Sequence, residues 1–277
     1  MESGNQQDVE AGTASLGHPA APKIFADIAS SFTYASYQNA VPVLRGISVE
    51  NHSERQFEKL RLELTSTPAF LRQKIWTIDR IVPGDRLPLG DRKIELDAAY
   101  LAGLNEAERG EIILRLFAGS ELLDEYRHSV RLLARDEWGG VADMAQLLPA
   151  FVMPNDPATA SLLKKAAERL MAHGHSSALD GYQSGDPKRA FMLTAAIYSA
   201  VASWGVHYAE PPASFESRGQ KIRRPRTIED QRLATCLDTT LLFAAALEAA
   251  GLHPVVLMFQ GHSAVGVWLA KRTFGRA

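Results

Sequence analysis

Cysteine is nearly absent: the 277-residue chain has one, Cys236. A single thiol makes no internal disulfide, so nothing in the chain asks for an oxidising compartment. Charge imbalance is missing too. The formal net charge is −2, which argues against a nucleic-acid binder that works by bulk charge. There is no long apolar run; the longest, near Leu241 to Leu247, is too short to span a bilayer. The opening "MESGNQQDVEAGTASLGHPAAP" has neither a basic stretch nor an apolar one, so it does not read as a signal peptide. The expectation is a cytoplasmic chain with no membrane partner and a disordered tail over residues 1–23. No GxxxxGK[ST] phosphate loop occurs, so no ATPase activity is assigned. His173 and His175 stand in "HGHSS" without acidic or thiol companions, so no metal is expected, and no cofactor motif is seen.

What is present falls into two textures. From Ile24 to about Arg135 the chain is made of short runs: "SFTYASYQN", "VPVLRGISVEN", "EKLRLELTS" and "IWTIDRIVPG". Pro, Gly, Asn and Ser separate them, and each reads as extended. Leu60, Leu62 and Leu64 alternate with charged residues, the period of a half-buried strand. "EIILRLFAGSELLDEYRHSVRLL" reads as a hairpin turning at Gly119-Ser120. Strands with regular turns predict an immunoglobulin-like β-sandwich over residues 24–138, an interaction or spacer domain without a nucleophile.

After "RDEWGG" capped helices take over, and residues 139–277 read as a mixed α and β domain. Asp156-Pro157 opens one helix and Gly174 lies past its end. Asp186-Pro187 and Gly205 repeat the scheme. A Pro-rich loop follows, then "ATCLDTTLLFAAALEAAG", then two apolar strands, "HPVVLMF" and "HSAVGVWL". Trp138 and Trp204 read as packing residues.

The cysteine helix carries the chemistry. Thr235 as N-cap puts Cys236 at N1 and Asp238 at N3, a relative of the capping box. A thiol at N1 faces free backbone N–H groups and the positive end of the helix dipole, and both favour thiolate. The helix to Ala250 rises about 21 Å. A strand from Pro254 to Gly261 returns about 23 Å. An antiparallel return brings His262 level with Cys236, with His262, Ala264 and Gly266 on the face toward the helix. Thiol and imidazole at one level is the arrangement for nucleophilic catalysis, with His262 as base and then acid. The competing reading makes Cys236 a small buried hydrophobe.

Around this pair, Gln220 and Gln231 are candidate oxyanion donors. Asp238 reads as helix-start electrostatics rather than as an acid oriented toward His262. The dense basic run "KIRRPR", Lys221 to Arg226, reads as a solvated loop, so direct nucleic-acid binding is not expected.

"TCLDTTLLFAAALEAAGLHPVVLMFQGHSAVGVWL" resembles the core of the transglutaminase-like superfamily, in which Cys opens a central helix and His begins a following strand. The span from about Tyr34 to Leu269 resembles, more narrowly, the N-terminal region of large bacterial superfamily-one helicase-related proteins of unknown function. "VPVLRG", "LLARDEWGG", "FVMPNDP", "LDGYQSGDP", "EPPASFE", "GQKIR" and "GHSAVGVWL" carry that likeness. The resemblance implies an α+β fold: a β-sandwich followed by a transglutaminase-like domain. It implies a Cys-His-Asp triad acting on peptide or amide bonds, as in cysteine proteases, peptide amidases and transglutaminases. Its third residue belongs on the strand after the His strand, but only "AKRTFGRA" follows Leu269, with no Asp, Glu or Asn. The expectation is therefore a C-terminally truncated or stand-alone front end. Its partners would be a peptide or protein substrate and a helicase partner, or a helicase region beyond its C-terminal side. The alternative is a non-catalytic interaction module of a DNA helicase system.

Overall fold

The computed structural model describes residues 21–272. Most of the tail expected over residues 1–23 lies outside the described residues; Lys23 already opens a strand. The fold is α+β, with β-sheets first and a helix-rich region after them. The chain divides into two compact units, Met1–Arg135 and Asp136–Ala277.

In the first unit β1 (Lys23–Ile28), β3 (Leu44–Glu50) and β6 (Arg86–Pro88) form a three-stranded sheet in the order β1-β3-β6. A five-stranded sheet has the order β2-β8-β7-β4-β5. Its strands are β2 (Ser31–Phe32), β4 (Phe57–Thr67), β5 (Lys74–Ile81), β7 (Glu108–Ala118) and β8 (Glu121–Leu132). The alternation read on β4 is real: Leu60, Leu62 and Leu64 all point inward and are buried. They meet Ile112, Leu114 and Leu116 of β7, and Ile24, Ile28, Ile47 and Val49 of the smaller sheet, in one cluster. Both sheets thus close over one core, as a β-sandwich does. Each leucine buried there contributes about 1.5–3 kcal/mol. The β7–β8 hairpin turns at Gly119-Ser120, with Gly119 at φ +60°.

One extended run proves to be mostly helical. In "SFTYASYQN" only Ser31–Phe32 is strand; Tyr34–Gln38 forms a short helix, α1. Thr33 starts it, its N–H donating to Ser36 Oγ at 3.1 Å. That local bond competes with strand pairing. A second short helix, α2 (Ala98–Gly103), is capped by Asp97, which accepts from Tyr100 N.

The second unit opens with β9 (Glu137–Trp138) and α3 (Gly140–Met144), then a 3-10 turn at Ala145–Phe151. Two long helices follow, α4 (Pro157–Ala172) and α5 (Pro187–Ala202). Asp156 and Asp186 cap them, each accepting at 2.9 Å from the N–H two residues on. Between α5 and the cysteine helix the elements are short. They are β10 (His207–Tyr208), α6 (Phe215–Arg218), β11 (Gln220–Lys221), α7 (Pro225–Gln231) and β12 (Leu233–Ala234). Then come α8 (Cys236–Ala249), β13 (Pro254–Phe259) and β14 (His262–Val267). Leu162, Ala166 and Leu170 of α4, Leu193, Ile197 and Ala200 of α5, and Leu242, Ala246 and Leu247 of α8 share one core. Trp204 is buried in that core, and Trp138 is fully buried, donating from Nε1 to the Met144 carbonyl at 2.8 Å.

Strand β9 pairs with β11, Trp138 opposite Gln220, so Trp138 lies inside the second unit. The approach demands glycine. A Cβ on Gly219, at φ +87°, would stand 1.8 Å from the Trp138 carbonyl oxygen.

No helix among the described residues is long and apolar enough to cross a membrane.

Candidate functional site

Helix α8 starts as its sequence prescribes. Thr235 Oγ1 accepts from Asp238 N at 3.1 Å, and Asp238 Oδ2 accepts from Thr235 N at 2.9 Å. This reciprocal box satisfies two backbone donors and leaves Cys236 at N1. The thiol is 6% exposed. Asp238 is fully buried and also accepts from Arg223 N and Arg223 Nη1, both at 2.8 Å. Its carboxylate is thus spent on the helix start and on anchoring the loop after β11. It is a structural acid, in agreement with the sequence reading.

Gln220 joins this helix start. It is 5% exposed, and its Nε2 donates to Thr235 Oγ1 at 2.8 Å. Its Oε1 is buried with no hydrogen-bond partner. An orphaned carboxamide atom next to a capped thiol is the kind of exception that marks a ligand position. Nε2 also donates to the Lys221 carbonyl at 3.3 Å, so the amide is held with Nε2 toward the two acceptors and Oε1 as the open atom. Gln231, the other oxyanion candidate, is an exposed residue at the end of α7. Of the two, the structure brings only Gln220 to the helix start.

The return of the chain sets the position of His262. Strands β13 and β14 pair antiparallel from Pro254 opposite Val267 to Phe259 opposite His262. Ser263 Oγ lies 3.2 Å from Thr240 Oγ1, which fastens the start of β14 to α8. Thr240 stands about 6 Å along the helix from Cys236. His262 lies about 3.3 Å back along the strand from Ser263. The two displacements run the same way, so His262 falls near the level of the helix start.

The facing of β14 is the reverse of that expected. Ser263 is buried against the helix, and Val265 and Val267 pack on the helical core. Alternation then turns His262, Ala264 and Gly266 to the outer face, and His262 is exposed. The reason is apolar burial: branched valines gain more from the core than alanine and glycine do. On the outer face His262 is paired with Phe259, which is itself exposed.

A residue that the sequence did not reveal lies near the helix start. Strand β10 pairs parallel with β12, Tyr208 opposite Ala234. His207 N donates to Arg232 O and Ala209 N to Ala234 O, both at 2.8 Å. This register sets Tyr208 against the segment that leads into Cys236. Desolvation raises the Tyr208 hydroxyl above its ordinary value of 10.0, with the neighbouring Cys236 and Glu210 acting in the same direction. A two-residue strand has no period, so no pattern pointed to it.

The basic run is partly neutralised at home. Arg223 pairs with Asp238, and Arg226 with Glu229 and Asp230 at 3.1 Å each. His173 closes α4, with Nδ1 2.9 Å from the Arg169 carbonyl. Among the described residues, no three His, Cys, Asp or Glu side chains gather into a set that could hold a metal.

The arrangement therefore offers a buried thiol at a helix N-terminus, a carboxamide bonded to its N-cap, and an imidazole near its level on the outer face of β14. Neither the known family models nor the curated proteins contain a match to this chain.

Proposed function

We propose that the second unit is a cysteine-dependent hydrolase or acyltransferase acting on a peptide or amide bond. The observation that carries the reading is Cys236 at N1 of a box-capped buried helix, with the orphaned Gln220 carboxamide bonded to its N-cap. In this reading Cys236 Sγ attacks the acyl carbon and its proton passes to His262, which has to swing in from the outer face of β14 to take it. The carbonyl oxygen gathers negative charge at the N–H groups that the helix start leaves to a ligand. His262 then gives the proton to the leaving amine, and water or a second amine takes the acyl group from sulfur. The resemblance to transglutaminase-like domains supports this chemistry. It also supports a place as the front end of, or partner to, a helicase-related protein in the cytoplasm.

A second reading has its own support. Leu257 and Phe259 of β13 are 42% and 51% exposed, on the same face as His262. A small apolar sheet face of this kind suits a non-catalytic interaction module of a helicase system.

The test is acylation by an activated ester, p-nitrophenyl acetate, with the adduct located by mass spectrometry. The expected result is one acetyl group on Cys236, absent in Cys236→Ala and formed more slowly in His262→Ala. No adduct on Cys236, together with equal rates in wild type and His262→Ala, would favour the interaction module.

A further inference from the structure

The first unit carries a cavity that the acyl transfer described above does not use. Its volume is about 1060 Å³, at the upper end of the roughly 300–1,000 Å³ usual for small-molecule sites. Its walls come from the end of α1 and the turn after it, the start of β3, and the segment of residues 92–99 that leads into α2. Much of the lining is aliphatic. Val43, Leu44 and Leu96 are buried beneath it, and Val41, Ile94 and Ala98 are half-buried.

Cations outnumber acids around this cavity. Arg45, Arg72, Arg92 and Lys93 line it, against Glu95 and Asp97. Both acids are committed. Glu95 pairs with Arg72 at 3.1 Å, and Asp97 caps α2, accepting from Tyr100 N at 2.8 Å. Arg45 meets Asp27 at 3.9 Å, with both side chains more than half exposed, and such a pair neutralises little. Arg92 donates from Nη1 to the Arg45 carbonyl. That neutral acceptor holds the guanidinium at the wall without cancelling its charge. The loop bearing Arg92 and Lys93 is fixed by side chains of β5. Lys74 Nζ pairs with Asp91 at 2.7 Å and donates to the Lys93 carbonyl at 2.8 Å, and Trp76 Nε1 donates to the Asp91 carbonyl at 2.7 Å. Arg72 N adds a bond to the Glu95 carbonyl at 2.8 Å. A loop held in this way keeps its cations in place before a ligand arrives, which lowers the ordering cost of binding.

We propose that this cavity binds a small organic anion with an apolar body, of the class of medium-chain carboxylates. The body lies on the aliphatic lining, and the head group is held by Arg92, with Lys93 and Arg45 adding charge. A guanidinium suits a carboxylate because its N–H groups match the two oxygens. The aliphatic lining favours this class over a nucleic-acid strand, which binds through stacked aromatic side chains. The site belongs to the first unit alone and does not rest on the thiol reading.

The experiment is a fluorescence titration of the full chain with anilinonaphthalene sulfonate, itself an apolar anion. The dye is then displaced with decanoate, decanol or hexaglutamate. Decanoate is expected to displace it with one-to-one stoichiometry, and decanol to bind roughly tenfold more weakly. Arg92→Gln should weaken decanoate about tenfold and Lys93→Gln about threefold. Arg92→Lys, which keeps the charge, should lose less than Arg92→Gln, and decanol should bind wild type and variants alike. Lys93 is exposed, so Lys93→Gln keeps the fold whatever Arg92→Gln does to the bond with Arg45. Equal affinities for decanoate and decanol overturn the proposal. So do decanoate affinities unchanged in both glutamine variants, which place the dye on another apolar surface. Displacement by hexaglutamate but not by decanoate overturns it in favour of an acidic peptide.

Discussion

Replacing Asp238 with alanine is expected to destabilise the second unit by about 3 kcal/mol. The carboxylate is fully buried and accepts three hydrogen bonds, from Thr235 N at 2.9 Å and from Arg223 N and Nη1 at 2.8 Å. Removing one partner of a buried pair costs about 3–5 kcal/mol, because the other charge is left uncompensated. Arg223 is 31% exposed, so water takes up part of its loss, and the lower end of that range applies. Loss of half the capping box, about 1 kcal/mol when measured alone, is already contained in it. With a urea slope of about 2 kcal/mol/M the midpoint falls by about 1.5 M. Tryptophan fluorescence follows the right unit, since Trp138, Trp204 and Trp268 belong to it and only Trp76 to the other. Arg223→Met and the double variant complete a cycle, in which the pair should be coupled by more than about 1 kcal/mol. A loss below about 1 kcal/mol, or a coupling near zero, would refute the view that this carboxylate fastens the helix start to the loop after β11.

Gly219→Ala should unfold the second unit or cost it more than about 3 kcal/mol, since its Cβ would sit 1.8 Å from the Trp138 carbonyl oxygen. Gly185→Ala, also at positive φ but facing open space, should cost only about 1–2 kcal/mol. Equal urea midpoints for the two variants would argue against the close approach. His128 in β8 should make the stability of the first unit depend on pH: burial lowers it below the ordinary 6.5, against a raising pull from Asp27, and its Nε2 is buried without a partner. A depressed histidine contributes stability that is present above about pH 6.5 and lost as pH falls, because the unfolded chain takes the proton first. Melting temperatures between pH 7 and 5 should therefore fall less steeply in His128→Leu than in wild type, and parallel slopes would exclude the effect.

The features legible in the sequence were those written in local chemistry. Asp-Pro pairs marked the starts of α4 and α5, a Thr-x-x-Asp box marked the start of α8, and alternating leucines marked β4. Helix α1 was missed because its signal is a single Thr-Ser bond within a run of aromatic residues suited to a strand. The site was legible in part. Cys236 and its cap follow from sequence order, and Gln220 was among the candidates. The facing of β14 was not, because a one-residue change of register exchanges the faces and only Val265 and Val267 against the core decide it. Tyr208 depends on a two-residue parallel pairing across about 25 residues of chain, which no periodicity announces.

The short elements between α5 and α8 have a consequence for how the thiol is reached. Strands β10, β11 and β12 are two residues each, so the lining of the helix start hangs on few ladder bonds. The core beneath it is three long helices packed through alanine and leucine. Free energies of local opening differ widely within one structure, and poorly laddered segments lie at the low end. The lining should therefore exchange its amide hydrogens by sub-global opening, while the amides of α4, α5 and α8 exchange only on unfolding of the whole unit. Access to a buried sulfur then becomes a frequency rather than a fixed aperture. A reagent too large for the closed form would react at a rate set by how often residues 206–235 lift away.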